Sequence, residues 1–327
     1  MMCTAISYHT NGHYFGRNLD VDAIHDESIA ITPRHFPLLF RNGTSIDKHF
    51  SIIGMAHIKE NYPLYYDATN EKGLSVAALS FPHEAHYHPE TSDLINLAPW
   101  EIIPFLLCQC ETAAEAKNLL SKVNITKDPF RKDLPLTPLH FLIADHRKSF
   151  VAEPMSTGLL IRDNPVGILT NSPPFDFQMQ HLNLFMGLSS KPVENRFSKE
   201  ISFKEISRGM GALGLPGDLS STSRFVRAAF TKFHSQKGMD EAQDIRQFFH
   251  ILGSVEQLKG CVDLNGNMEF TLYSSCCDTN KGIYYYKTYD NFAIIGVDMK
   301  KEDLNGEQLI AYPIIRESRF AILNQSY

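Results

Sequence analysis

Three residues near the start of the chain could do chemistry together: Cys3, Arg17 and Asp20. A cysteine standing first in a mature chain offers two catalytic groups in one residue. The thiol is a nucleophile, and the free α-amine can take its proton. Unperturbed thiols titrate near ~8.5 and α-amines near ~7.7–8.0, so the proton passes between them at little cost. A base whose pKa lies near the working pH is also the efficient one. Asn11-Gly12 between two strand-like runs predicts a hairpin, which would return Arg17 and Asp20 to the chain's start. Arg17 would then favour the thiolate, and Asp20 would hold the amine. Read alone, the trio is equally an incidental cysteine beside a surface ion pair. The chemistry also requires that the residues before Cys3 be gone, because a cysteine nitrogen inside a peptide bond is no base. Either translation starts at Met2, or both Met1 and Met2 are removed.

The elements that would position these residues are short. Alternating or apolar runs predict strands at 4–8, 28–32, 51–55, 74–79, 141–144, 150–152, 159–161, 167–170, 269–274, 282–286 and 292–297. Helices are fewer and grouped. One starts near Pro99 and should kink at Pro104. Another covers 112–123. A third follows the Ser220–Ser223 capping cluster and buries Phe225, Val226, Ala229, Phe230 and Phe233, and a fourth covers 241–252. Many antiparallel-type strands with grouped helices predict an α+β protein with a layered sheet core. No repeat or Gly/Ser/Pro-rich linker divides the 327 residues, so a single domain over 1–327 is expected, starting at Cys3 when mature.

The order and spacing of several fragments carry a resemblance. They are the Cys-Thr start, Phe15-Gly16-Arg17-Asn18-Leu19-Asp20, the stretch 66–74, the stretch 163–173, Gly214-Leu215-Pro216-Gly217-Asp218 and Ser223-Arg224-Phe225. Phe248-Phe249-His250-Ile251-Leu252 and Gly282-Ile283-Tyr284-Tyr285-Tyr286 extend it nearly end to end. Together they resemble the choloylglycine hydrolase family, which comprises bile salt hydrolases and penicillin V acylases. The resemblance implies the N-terminal-nucleophile αββα fold, with two stacked antiparallel sheets between helical layers. It implies an amide C–N hydrolase with Cys3 as nucleophile and Arg17, Asp20, Asn171 and Arg224 around it. The Asn171 side chain and the Ser80 backbone N–H would form the oxyanion hole, where one preorganised donor is worth ~2.7–4 kcal/mol. Without the family, Asn171 reads as a turn residue before Ser-Pro-Pro. The wording is closest to the bile salt hydrolases, with penicillin V acylase or another N-acyl amidase as the alternative. Bile salt hydrolases usually carry Asn where this chain has Ser80, and penicillin V acylases usually Tyr. A chain in which Cys3 never becomes N-terminal would instead be a catalytically silent bile-acid-binding relative. A homotetramer is implied on the same basis, and neither metal nor cofactor is needed.

The matching substrate loops are 19–24, 56–61 and 125–138. They make Leu19, Ile24, Met55, Ile58, Phe130, Leu134 and Leu136 candidate pocket walls, beside Ser80, and an apolar pocket suits a steroid. Lys59, Lys127, Arg131 and Lys132 would draw in an anionic substrate.

Other features point elsewhere. A net charge of −6 and a pI near 6.2 exclude a basic nucleic-acid footprint. No apolar run reaches membrane-spanning length and no signal peptide is evident, so cytoplasm is the expected location. Six cysteines suit that compartment, with Cys108 and Cys110 expected as buried free thiols. Gly209-Met210-Gly211-Ala212-Leu213-Gly214 matches a dinucleotide fingerprint but lacks its strand. His83, Glu84, His86 and His88 read as a solvated loop and not a metal site, and His140 and His250 as hydrogen-bonded core residues.

Overall fold

The computed structural model describes residues 2–318, 320 and 322–324; the question of Met1 therefore lies outside the described residues. Fourteen strands form two large antiparallel sheets. The first runs Ile168–Leu169, Met2–His9, His13–Val21, Phe270–Asp278, Ile283–Thr288 and Ile295–Asp298. The second runs Gly158–Asp163, Ser149–Met155, Leu139–Ala144, Ser75–Ser80, Tyr62–Asn70, Ile52–Lys59, Ser28–Thr32 and Ile310–Pro313. The central strands are buried along their whole length: His13–Val21, Ser75–Ser80 and Phe270–Asp278 have no exposed position. A strand covered on both faces loses the alternation of a half-solvated one. Here each sheet is covered by the other on one face and by helices on the other.

One core joins Cys3, Ala5, Leu19 and Phe15 of the first sheet to Ile53, Met55 and Leu79 of the second, and continues to Phe225, Phe248 and Leu252 of the helices above. The other lies beneath the second sheet, where Ile102, Ile103, Leu106, Ala116 and Leu120 pack on Ile52, Val76 and Phe141. The result is helices, sheet, sheet, helices. Helix Ser221–His234 is capped by Ser220, whose hydroxyl accepts from Ser223 N, and Glu241–Gly253 by Asp240, which accepts from Gln243 N. Gly16 allows the central approach of two strands, since a Cβ there would lie 2.0 Å from the Ser275 carbonyl oxygen.

Several expectations need correction. Strands Tyr62–Asn70 and Ile310–Pro313 and helix Phe175–Leu182 were not predicted. Pro63 and Pro313 argue against strands, and Pro173-Pro174 against a helix, although Pro174 serves as the N-cap. Pro104 makes no mid-helix kink: a 3-10 turn, Pro99–Glu101, leads into Ile102–Leu107, and the proline falls in its first turn. A first-turn N–H has no intrahelical partner, so its absence there is tolerated. Phe233 is 60% exposed, because the buried stripe ends at Ala229. His250 is exposed on the outer face of its helix between buried Phe249 and Ile251. Among the described residues no helix is long and apolar enough to cross a membrane.

Candidate active site

The hairpin predicted from Asn11-Gly12 pairs Cys3 with Leu19, Met2 with Asp20 and Thr4 with Asn18. Because strand side chains alternate, Cys3, Arg17 and Leu19 share the face toward the second sheet, where all three line one cleft. Thr4, Asn18 and Asp20 point the other way, toward the helices: Asn18 donates to the Leu252 carbonyl, and Thr4 Oγ1 accepts from Arg224. Arg17 and Asp20 thus flank Cys3 from opposite faces of one sheet.

Asn171, just beyond strand Ile168–Leu169, is the hub. Its Oδ1 accepts from the Cys3 backbone nitrogen (2.8 Å) and from Arg224 Nη2 (2.7 Å), and its Nδ2 donates to the Ser80 carbonyl (2.7 Å). This fixes the amide's orientation, since two pure donors meet the oxygen and a carbonyl meets the nitrogen. Ser221 Oγ accepts from Asn171 N, and so anchors the hub to the start of helix Ser221–His234. Arg224, fully buried one turn along that helix, donates from Nη1 to the Cys3 carbonyl (2.6 Å) and Thr4 Oγ1 (2.8 Å). Cys3, Ser80, Asn171 and Arg224 therefore converge from four separate elements.

Arg17 is wholly buried, and its Nη1 donates to the carbonyls of Tyr66 (3.0 Å) and Ala78. Among the described residues Nη2 has no hydrogen-bond partner. Burial works against its charge, but Cys3, Tyr273, Asp67 and Asp20 outweigh that and hold its pKa above the usual value. Asp67, which the sequence reading left without a role, sits behind it. Its carboxylate accepts from Tyr273 Oη (2.8 Å), Tyr284 Oη (2.7 Å) and Ser275 Oγ (3.1 Å). Burial raises its pKa, while Arg17 and the three hydroxyls oppose the rise. Its place in the stretch 66–74 was the available signal; the missing strand assignment hid which face it occupies.

Asp20 Oδ1 accepts from Thr271 Oγ1 (2.6 Å), and Oδ2 has no hydrogen-bond partner among the described residues. Burial lifts its pKa to about 7 against the pull of Arg224, with Glu269 adding to the rise. Glu269, also unassigned from sequence, accepts from the Met2 backbone nitrogen and is itself buried.

The cleft, roughly 240 Å³, opens from Cys3. Arg17, Tyr66 and Ser80 line it with Cys3, and Leu64, Pro99, Trp100, Ile103 and Pro129 add apolar wall. Of the expected walls, Leu19, Phe130, Leu134 and Leu136 line it. Met55 does not, being packed in the core between the sheets, and Ile58 packs on the lower core. Ile24 is 48% exposed and outside the lining. Trp100, Tyr62 and Phe130 contact edge-to-face or tilted at 5.0–5.8 Å, a rigid aromatic wall that sequence spacing could not reveal. Arg131 is already engaged by Glu60 (3.0 Å) and Asp133 (2.8 Å), so its charge is not free to draw in an anion.

The remaining motifs fall outside this site. Gly209–Gly214 holds a half-buried 3-10 turn, Met210–Ala212, with no strand leading into it. His86 and His88 contact each other, His88 Nε2 lies 2.9 Å from the Met155 carbonyl, and no metal-holding group occurs among the described residues. His140 is a core residue, between Glu153 and the Thr170 carbonyl and stacked on Phe81. Cys108 and Cys110 are buried free thiols.

Comparison with known proteins matches this geometry to a family. The profile of the linear amide C–N hydrolases, choloylglycine hydrolase family, matches residues 3–312. The chain is 49% identical to a bile salt hydrolase/transferase of Lactiplantibacillus plantarum, over 99% of this chain and 100% of that one. It is 35% identical to a bile salt hydrolase/transferase of Clostridium perfringens, over 95% and 96%. Among solved structures, a mutant conjugated bile acid hydrolase from Clostridium perfringens superposes with a TM-score of 0.91 at 32% identity, covering 98% of this chain and 100% of that one. The fold is also that of a penicillin V acylase from Agrobacterium tumefaciens, with a TM-score of 0.73 at 20% identity over 95% and 90%. With a cysteine at the end of a buried strand, a carboxamide bound to its nitrogen and an apolar cleft before it, the chain belongs to the choloylglycine hydrolase family of linear amide C–N hydrolases.

Proposed function

We propose that the chain hydrolyses conjugated bile salts once Cys3 is N-terminal. The observation that carries the reading is the bond from the Cys3 nitrogen to Asn171 Oδ1, with the Cys3 side chain in the apolar cleft. The α-amine takes the thiol proton, and the thiolate, favoured by Arg17, attacks the acyl carbonyl. The resulting oxyanion accepts from the second Nδ2 hydrogen of Asn171 and from the Ser80 N–H. The C–N bond breaks as the α-ammonium returns its proton to the leaving amine of glycine or taurine. Water, deprotonated by the same amine, then cleaves the thioester and frees thiol and carboxylic acid. Asp20 holds the ammonium, and Arg224 fixes the Cys3 carbonyl and Asn171 Oδ1 in place. An amine in place of water would give acyl transfer at the same thioester.

The relatives' activity and the apolar walls Leu19, Phe130, Leu134 and Leu136 support a steroid acyl group. The homotetramer rests on the family resemblance, whereas the single domain and the cytoplasmic location rest on the sequence. One sample decides the reading: N-terminal mass, then release of glycine or taurine from glycocholate and taurocholate, with penicillin V in parallel. Faster cleavage of penicillin V would reassign the substrate. Binding without turnover by a chain starting at Cys3 would remove the catalytic reading altogether.

A further inference from the structure

Loop 22–27 crosses from strand His13–Val21 of the first sheet to Ser28–Thr32 of the second, and its His25 lines the cleft opposite His57, with ring centroids 6.0 Å apart. Residues 22–26 are all exposed, so little packing holds them. Asp26 adopts a left-handed conformation (φ 51°), which a free loop would leave readily. Glu27 is the exception: its carboxylate is fully buried, and Oε1 accepts from the His25 backbone N–H (2.9 Å). Oε2 accepts from Arg316 Nη2 (2.7 Å), a residue nearly 300 positions away in the C-terminal segment.

That segment is itself tied down on both sheets. Pro313 pairs with Ser28 at the edge of the second sheet, and Ile314 N donates to the Glu27 carbonyl. Ile315 N donates to Tyr286 Oη of the first sheet (2.9 Å), and its carbonyl accepts from Asn291. The same carboxylate bears electrostatically on Tyr66, which lines the cleft and is also within reach of the Arg17 charge. Glu27 thus joins an anchored strap to an exposed cleft wall.

We infer that Arg316 is a positioning residue for substrate: through Glu27 it holds the His25–Asp26 turn, and so the mouth of the cleft, in its binding shape. Without its partner the buried carboxylate is uncompensated, and it relaxes toward water by taking the turn with it. The inference rests on the proposed function only for the identity of the bulky acyl group, not for the coupling.

Two measurements test it on the full-length mature protein. Hydrogen exchange of segment 22–27 in Arg316→Ala should speed up relative to wild type, with the second sheet unchanged, and Arg316→Lys should restore most of the protection. KM for glycocholate should rise roughly threefold to fivefold in Arg316→Ala with kcat within error, because the pair bears on binding and not on the chemical step. Unchanged exchange in 22–27 would overturn the coupling whatever the substrate proves to be. Faster exchange with unchanged KM would overturn the positioning role. A wild-type enzyme that ignores glycocholate refutes the bile-salt reading instead, and the exchange result still decides the strap.

Discussion

Replacing Asn171 by Asp separates the hub's two duties. The carboxylate keeps an oxygen for Arg224 Nη2 at 2.7 Å and for the Cys3 nitrogen at 2.8 Å, both as charge-assisted bonds. It loses the amide hydrogens, and with them the bond to the Ser80 carbonyl at 2.7 Å and the donor proposed for the oxyanion. Two facing acceptors at Ser80 cost about 1–3 kcal/mol of stability, partly offset at Arg224. The lost oxyanion contact is worth ~2.7–4 kcal/mol, about a hundredfold to a thousandfold in kcat. Asn171→Ala removes the same donor but strands Cys3 N, Arg224 and Ser80 together, so it should be the less stable of the two. Steady-state kinetics on glycocholate with urea melts of the same samples provide the assay. The expected pattern is similar kcat losses with unlike stabilities. A kcat loss below tenfold in both variants, or a defect in KM alone, would refute the assignment.

Cys3→Ser should fold normally and fall to near-background turnover, whereas Cys108→Ser and Cys261→Ser should keep wild-type kcat; substantial activity in Cys3→Ser would remove the nucleophile from the scheme. Asp67→Asn removes one of the buried groups that favour the Arg17 charge and disturbs three buried hydroxyl bonds, so it should lower stability by about 1–3 kcal/mol in denaturant melts and slow acylation in single-turnover measurements. Lys232, bonded to the Val166 carbonyl, has its pKa lowered by burial to about 8. Between that value and the unfolded value near ~10.4 the unfolded chain binds more protons, so stability should rise with pH across this window. Lys232→Met should therefore raise Tm at pH 7, and the gain should shrink toward pH 10. Retention of Met2 should leave thiol labelling possible yet abolish turnover, as N-terminal mass and kinetics on one sample would reveal.

How far the sequence disclosed this site depends on what each residue's role requires. Cys3, Arg17 and Asp20 were legible because a tight hairpin converts sequence spacing into register. The opposite-face placement of Arg17 and Asp20 follows from strand alternation and could have been read as well. Asn171 and Arg224 lie 168 and 221 positions from Cys3, and no local pattern reports so distant a contact; family resemblance supplied them. Asp67 was missed because Pro63 obscured its strand. Met55 was misplaced because an apolar side chain in a two-sided sheet looks alike whether it faces a cleft or a core. His250 failed for the opposite reason: an apolar run on a helix still has an outer face.

The pairing of His13–Val21 with Phe270–Asp278 also orders events during synthesis. The first sheet cannot close until residue 278 has left the ribosome, roughly 14–55 s after the N-terminus at typical elongation rates of ~5–20 residues/s. Until then the first residues are an open strand end within reach of an aminopeptidase. Afterwards the Cys3 nitrogen is buried under Asn171, and the Met2 nitrogen is held by Glu269. The trimming that the proposed mechanism requires would therefore be a race against folding, and a slower peptidase or a faster ribosome would leave a larger share of chains folded around an uncut start.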